Sequence, residues 1–394
     1  MLLYQLEQID ESKLQQLCND LTSESLTLEF KREPPGKETK DKVEFLKDVT
    51  ALANAEGGDL IFGIEEKTGI ATRIHPIEAP LSADAEMRRL GQILDGGIEP
   101  RVAGIRFKEI PVGGGFVLIL RIPKSYDGPH RISYNDDERF PLRSGTHISK
   151  MSYDQLKTAF DRTATLAERA KSFRRERLDA ICIGQTPKKL KPGPLCVVHI
   201  IPLVSLTGRQ AIDVAGLSHN LSEILFSEWG HNSYSLNLDG IVACSVDDAT
   251  NSGTYGYNQI YRTGCTESAF CGAAFVSENK HIPSTHLTKQ LRMVIEKNIK
   301  LLKKHDVSGP AVIGIAMLNV EGYALYVGQT YHHFNNTIAD RNSLTLPEAW
   351  LESLDAFTDI DVVVKPIMDI LWQSFGVERC LEYTIEGKWS PRQY

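Results

Sequence analysis

The chain has 394 residues, of which 42% are hydrophobic and 24% charged, and it carries a formal net charge of −7. That length accommodates two domains, each with its own core. No stretch reaches the roughly 20 apolar residues of a membrane helix, and the net negative charge argues against a protein that coats nucleic acid indiscriminately. Any contact with phosphates must come from a local patch of Lys and Arg.

The opening segment has helical spacing and no basic n-region, so it does not read as a secretory signal. Residues 9–21 follow as an amphipathic helix with Leu14, Leu17 and Leu21 on one face. Leu26, Leu28 and Phe30 then alternate with Thr27, Glu29 and Lys31, the period of a half-buried strand over 26–31. Helical spacing returns from Thr39 to Glu56, closed by Gly57-Gly58 as a C-cap. Strands are predicted at 60–64, with Glu65-Glu66 at the exit, at 102–107 and at 116–122. A loop holding Asp127-Gly-Pro-His-Arg131 leads to a short strand ending in Pro141-Leu-Arg-Ser-Gly-Thr146, and a helix begins near Ser152.

Residues 161–192 gather nine Lys and Arg and close in Lys-Pro-Gly-Pro, which reads as a basic linker. It separates a first domain, 1–160, from a second, mixed α/β domain at 193–394. Within the second, strands are expected at 195–204, 238–245, 256–263, 269–276, 310–319 and 322–328, and helices at 285–305 and 347–357. The fold class is α+β.

Chemistry concentrates in the first domain. Glu29 and Lys31 share one face of their strand, Glu24 precedes that strand, and Glu66 stands at another strand's exit. Converging carboxylates suit Mg²⁺ or Mn²⁺, hard cations that prefer oxygen and that acidify a bound water. A neighbouring lysine would steady the developing charge at phosphorus. The same Glu-x-Lys spacing also describes a solvated ion pair.

The string Glu24-Ser-x-x-x-Glu29-Phe-Lys31 resembles the opening motif of the Schlafen AlbA domain. Ala51-Leu-Ala-Asn-Ala-Glu-Gly-Gly58 with Gly63-Ile-Glu-Glu66, then Pro129-His-Arg131 and Arg143-Ser-Gly-Thr146, resemble its later landmarks in the same order. The resemblance spans roughly residues 20–160 and implies a mixed-sheet domain that handles nucleic acid. It further implies an acidic triad of Glu24, Glu29 and Glu66 binding Mn²⁺ or Mg²⁺, with Lys31 beside it. Glu66 stands where the family usually has Asp. Arg32, His130, Arg131 and Arg143 are the implied nucleic-acid contacts.

The activity so implied is a metal-dependent endoribonuclease acting on structured RNA such as tRNA, in a bacterial stress or antiphage role. The alternative is a non-catalytic DNA-binding transcriptional regulator. ATP binding ranks last, because no GxxxxGK[ST] occurs. Vertebrate nucleases of the family pair two lobes braced by zinc. Here one lobe is seen without zinc ligands, so a homodimer or larger assembly would rebuild the groove. Seven scattered cysteines without CxxC pairs read as reduced thiols of a cytoplasmic protein with no membrane partner. His332-His333 and the Cys265/Cys271 pair lack the spacing of a closed metal site. Tyr257 and Tyr261 read as sheet packing.

Overall fold

The computed structural model describes all residues except 1, 3, 5, 79–80, 209–211, 227–228, 230, 246–252, 272–279, 308, 329–337, 355–358 and 393–394. The chain divides into two compact units, Met1–Thr165 and Leu166–Tyr394. The class is α+β, and no helix of the described residues is long and apolar enough to cross a membrane.

In the first unit the helices are α1 (Glu11–Asn19), α2 (Thr39–Asn54) and α3 (Ala83–Gly97), and α4 (Tyr153–Cys182) begins there. Its strands are β1 (Leu28–Lys31), β2 (Gly58–Phe62), β3 (Ile64–Lys67), β4 (Ile70–Ile74), β5 (Ile98–Glu99), β6 (Arg106–Val112), β7 (Gly115–Ile122), β8 (Arg131–Ile132), β9 (Pro141–Ser144) and β10 (His147–Lys150). The main sheet runs β1-β2-β7-β6, parallel between β1 and β2 and antiparallel elsewhere. One core packs Leu60, Phe62, Leu118 and Leu120 against Leu46, Val49 and Leu52 of α2 and Leu90 of α3. The other packs Leu28, Phe30, Ile61 and Ile119 against Leu14 and Cys18 of α1. Each fully buried aliphatic side chain contributes about 1.5–3 kcal/mol.

Two glycines set how α2 meets β2. Gly57 has φ +71°, donates its N–H to Leu52 O (2.8 Å), and leaves no room for a Cβ, which would lie 2.5 Å from the Lys124 nitrogen. A Cβ at Gly58 would lie 2.5 Å from Thr27 O, so β1 and β2 approach closely only because that side chain is absent.

The second unit is built on an eight-stranded antiparallel sheet. Its strands are β11 (Leu195–Pro202), β12 (His231–Leu236), β13 (Gly240–Ser245), β14 (Gly256–Tyr261), β15 (Thr266–Phe270), then, after a separate β16 (His281–Pro283), β17 (Ala311–Leu318), and, after β18 (Ala324–Tyr326), β19 (Ser343–Thr345) and β20 (Ala349–Leu351). The order is β12-β13-β14-β15-β11-β17-β19, and β20 also pairs with β17. Leu178 and Ile181 of α4 share a core with Leu195, Val197 and Tyr257 on one face. The remaining helices are α5 (Val214–Ser218), α6 (Ser284–Lys304) and α7 (Ile360–Gln373). On the opposite face Asn298 of α6 donates to Asn258 and Ser268.

Several expectations change. The strand expected at 102–107 starts at Arg106, after a turn in which Gly104 has φ +81°. Residues 347–357 hold strand β20, not a helix, and the helix lies further on, at Ile360–Gln373. The stretch 161–192 continues α4 as far as Cys182, since Leu166, Ala170, Leu178 and Ile181 form a buried stripe at helical spacing. Two of its arginines are structural. Arg174 donates to Ile315 O and Leu346 O, and Arg177 forks onto Glu267 at 2.7 and 2.9 Å. Helix α3 and strand β12 were not anticipated at all. His332 and His333 lie outside the described residues, as does 272–276 of the strand expected at 269–276.

Candidate functional site

Alternation along β1 sends Leu28 and Phe30 into the core beside α1 and turns Glu29 and Lys31 to the other face. Sequence reasoning takes that face to be open. Instead α2 and β9 cover it, and Glu29 is only 7% exposed. Its two carboxylate oxygens each hold a cation: Lys31 Nζ lies 2.8 Å from Oε1 and Arg143 Nη2 lies 2.7 Å from Oε2. Lys31 also reaches Asp48 of α2 at 3.3 Å. Burial alone would lower the lysine's affinity for its proton, but Asp48 and Glu29 outweigh it, and the ammonium is held above its ordinary value.

Glu24 and Glu66 meet at the β3–β4 turn. Glu24 accepts from the Phe30 N–H (2.9 Å), and its own N–H donates to Gly69 O (2.7 Å). Glu66 accepts from the Gly69 N–H (2.5 Å), and a Cβ on Gly69 would lie 3.3 Å from Glu24 Oε2. Burial raises the Glu24 pKa; the Phe30 N–H opposes this, and the charges of Glu29 and Glu66 add to it. Burial likewise lifts Asp48 to about 6 against the pull of Lys31. Four carboxyl groups around two cations thus form an edge short of positive charge.

The carboxylates of the sequence triad therefore stand along one edge, differently employed. Glu29 is committed to Lys31 and Arg143, whereas Glu24 and Glu66 bracket Gly69. Among the described residues no group of three or more His, Cys, Asp or Glu side chains is placed to hold a metal ion. As arranged, the residues do not make a three-carboxylate metal centre, because Glu29 is already neutralised on both oxygens.

The expected nucleic-acid contacts divide in the same way. Arg143 is 3% exposed and, besides Glu29, donates to Ser25 O and Leu28 O, tying β9 to the start of β1. His130 is fully buried, with Nδ1 2.6 Å from Pro100 O and Nε2 2.6 Å from Ser125 Oγ, and burial lowers its pKa. Neither side chain is presented to a phosphate, which corrects the sequence expectation for both. Arg131 lies at the surface, paired with Glu99 at 2.7 Å. Arg32 is exposed, with Glu33 at 3.8 Å.

Two residues that sequence reasoning passed over complete the site. Asp48 looks like one more polar position on an amphipathic helix, yet it is 3% exposed and faces Lys31. Asn54, inside the Ala51–Gly58 string, donates to His130 O and Pro141 O and accepts from the His130 N–H (2.8 Å). Only a polar residue among apolar neighbours at helical spacing could have signalled either.

Residues 24–152, a span that encloses this whole edge, match the Schlafen, AlbA_2 family model. The N-terminal domain is a Schlafen AlbA_2 domain. Two solved structures are similar to the chain over about the same share of its length. The DIP2311 protein from Corynebacterium diphtheriae is 21% identical over 36% of this chain and 29% of that one, with a TM-score of 0.25. The N-terminal domain of a RecG-related protein from Nitrosomonas europaea is 18% identical over 37% of this chain and 93% of that one, with a TM-score of 0.27. The chain thus spans under a third of the length of the first. No curated protein matches it.

Proposed function

We propose that the chain handles nucleic acid, and that its Schlafen AlbA_2 domain engages RNA along the edge formed by Glu24, Glu29, Lys31 and Glu66. The observation that supports this reading is the gathering of those four residues, drawn from β1, β3 and the segment before β1, around one lysine and one tight turn. Glu29 and Asp48 are buried beside Lys31 and Arg143, and burying like charges is costly, so packing alone does not call for the pair.

The finer reading is a metal-dependent endoribonuclease of the kind the family resemblance implies, acting on structured RNA. A Mn²⁺ or Mg²⁺ ion would supply a Lewis acid and an acidified water. The charge deficit of the edge favours a cation, but Glu29 would first have to exchange Lys31 or Arg143 for it. What the chain's own residues do is clearer. Glu29 and Asp48 hold the Lys31 ammonium in place and charged, while Glu24, with its raised pKa, is a carboxyl group able to carry a proton closer to neutral pH.

The test incubates the full chain with structured RNA, single-stranded RNA and DNA, with Mn²⁺ and with EDTA, beside Glu24→Gln and Glu29→Ala. Cleavage that requires Mn²⁺ and disappears in both variants is the expected result. Cleavage that persists in EDTA and in the variants would overturn the nuclease reading. Salt-sensitive binding without cleavage would leave the coarser reading as a nucleic-acid-binding module.

A further inference from the structure

One residue beyond Lys31 the chain leaves β1 and enters a cleft of about 470 Å³, lined on one side by Arg32–Lys37 and on the other by His75–Glu78, Leu81 and Arg89. Its walls are rigidly built. Arg89 forks onto the buried Glu86 and donates to the carbonyl oxygens of Pro35 and Gly36, fixing the first wall. Ile77 exchanges two backbone hydrogen bonds with Phe116 of β7 (2.8 and 3.1 Å), and the His75 N–H donates to Gly63 O, fixing the second.

The lining combines Pro34, Pro76, the buried Ile77 and the exposed Leu81 with the side chains of Arg32, Lys37 and His75. Among the described residues the Lys37 side chain makes no hydrogen bond or ion pair, and Arg32 has only its neighbour Glu33 at 3.8 Å. Glu33 and Glu78 at the rim add acceptors for amino or imino hydrogens. The charge of Arg32 acts on Glu65 of β3, so the cleft opens beside the strand that carries Glu66.

We propose that this cleft takes a single unpaired nucleotide of an RNA strand, its base against Pro34, Ile77 and Leu81 and its phosphate at Arg32 and Lys37. This rests on the reading of the domain as RNA-engaging and deepens it. The volume lies within the roughly 300–1,000 Å³ of small-molecule sites. Apolar side chains beside Arg32 and Lys37 match a flat base joined to a phosphate, with Glu33 and Glu78 left to the amino or imino hydrogens of the base.

The experiment uses the full chain and a short single-stranded RNA carrying one fluorescent aminopurine, with adenosine monophosphate and inorganic phosphate as separate competitors. Leu81→Glu and Lys37→Glu alter exposed positions, and circular dichroism melts check that both variants fold. The expected result is aminopurine quenching by the wild-type protein, affinity about tenfold weaker in each variant, and competition by the monophosphate but not by phosphate alone. Wild-type binding that both variants retain would overturn the cleft while leaving the domain's RNA role standing. Equal competition by phosphate would also overturn it, since only charge would then be read. Absence of any RNA binding by the wild-type protein would remove the proposed function as well.

Discussion

Glu29 is a carboxylate wholly enclosed by its two partners, and this gives its removal a definite cost. Glu29→Ala leaves the fully buried Arg143 side chain without its anion, while Lys31 keeps Asp48 at 3.3 Å. Breaking a buried pair from one side costs about 3–5 kcal/mol, so urea denaturation should register a loss of roughly that size for the N-terminal domain. A loss well under 1 kcal/mol would mean that the edge is far more open to water than its geometry indicates. Titration gives a second residue-scale test with opposite signs in the two units. Asp48 is raised from 3.8 to about 6, so the folded state binds its proton more tightly than the unfolded one, and stability falls as pH rises from about 4 to 6. Asp48→Asn should flatten that fall in a denaturation series across the window. Glu267 is the reverse case. Burial would raise it, but hydrogen bonds from His199 and Arg177 dominate and hold it at about 2. Its contribution is present above about pH 4.5 and is lost as pH falls toward 2. Glu267→Gln should therefore cost most near neutrality and least in acid.

At the scale of elements, the α2–β2 junction shows how a motif acts through backbone geometry. Gly57→Ala would put a Cβ at φ +71° against the backbone of residues 122–124. Both strain and collision act, and a drop of about 2 kcal/mol or more is expected; a thermal melt unchanged within a degree would contradict it. Helix α7 and strand β20 illustrate where local pattern fails. Residues 360–373 contain three consecutive valines and Pro366, poor helix formers in isolation. Burial of Val364, Ile367, Met368, Leu371 and Trp372 compensates, an energy that belongs to the packed state alone. Conversely, residues 347–357 carry helical spacing, but Ala311–Ile313 of β17 takes Ala349–Leu351 as an antiparallel partner. Strand β1 was legible in its alternation, whereas which of its faces is covered was not. A period of two says that Glu29 and Phe30 point apart, and nothing about what α2 and β9 lay over each side.

The whole molecule consists of two units with separate cores: clusters around Leu118 and Ile61 in the first, and around Val197 and Tyr257 in the second. Calorimetry should accordingly resolve two transitions. Leu118→Ala should lower one of them by the roughly 2–5 kcal/mol of a core truncation, with the other unmoved. A single transition shifted as a whole would show that the units unfold together. The sequence by itself determined the domain's family, its order of motifs, the strand alternation around Glu29 and the Gly57-Gly58 helix stop, and the carboxyl-rich character of the edge. Those features are local: spacing, turn chemistry and residue type carry them. Tertiary structure alone decided that Glu29 is an ion-pair hub, that His130 and Arg143 hold the frame from within, and that Asp48 and Asn54 belong to the site. It also decided that Arg32 and Lys37 border a cleft. Each of these depends on residues brought together from up to 118 positions apart, as Arg143 and Ser25 are. Burial and charge pairing at that range are set by packing, which no periodicity within one segment encodes.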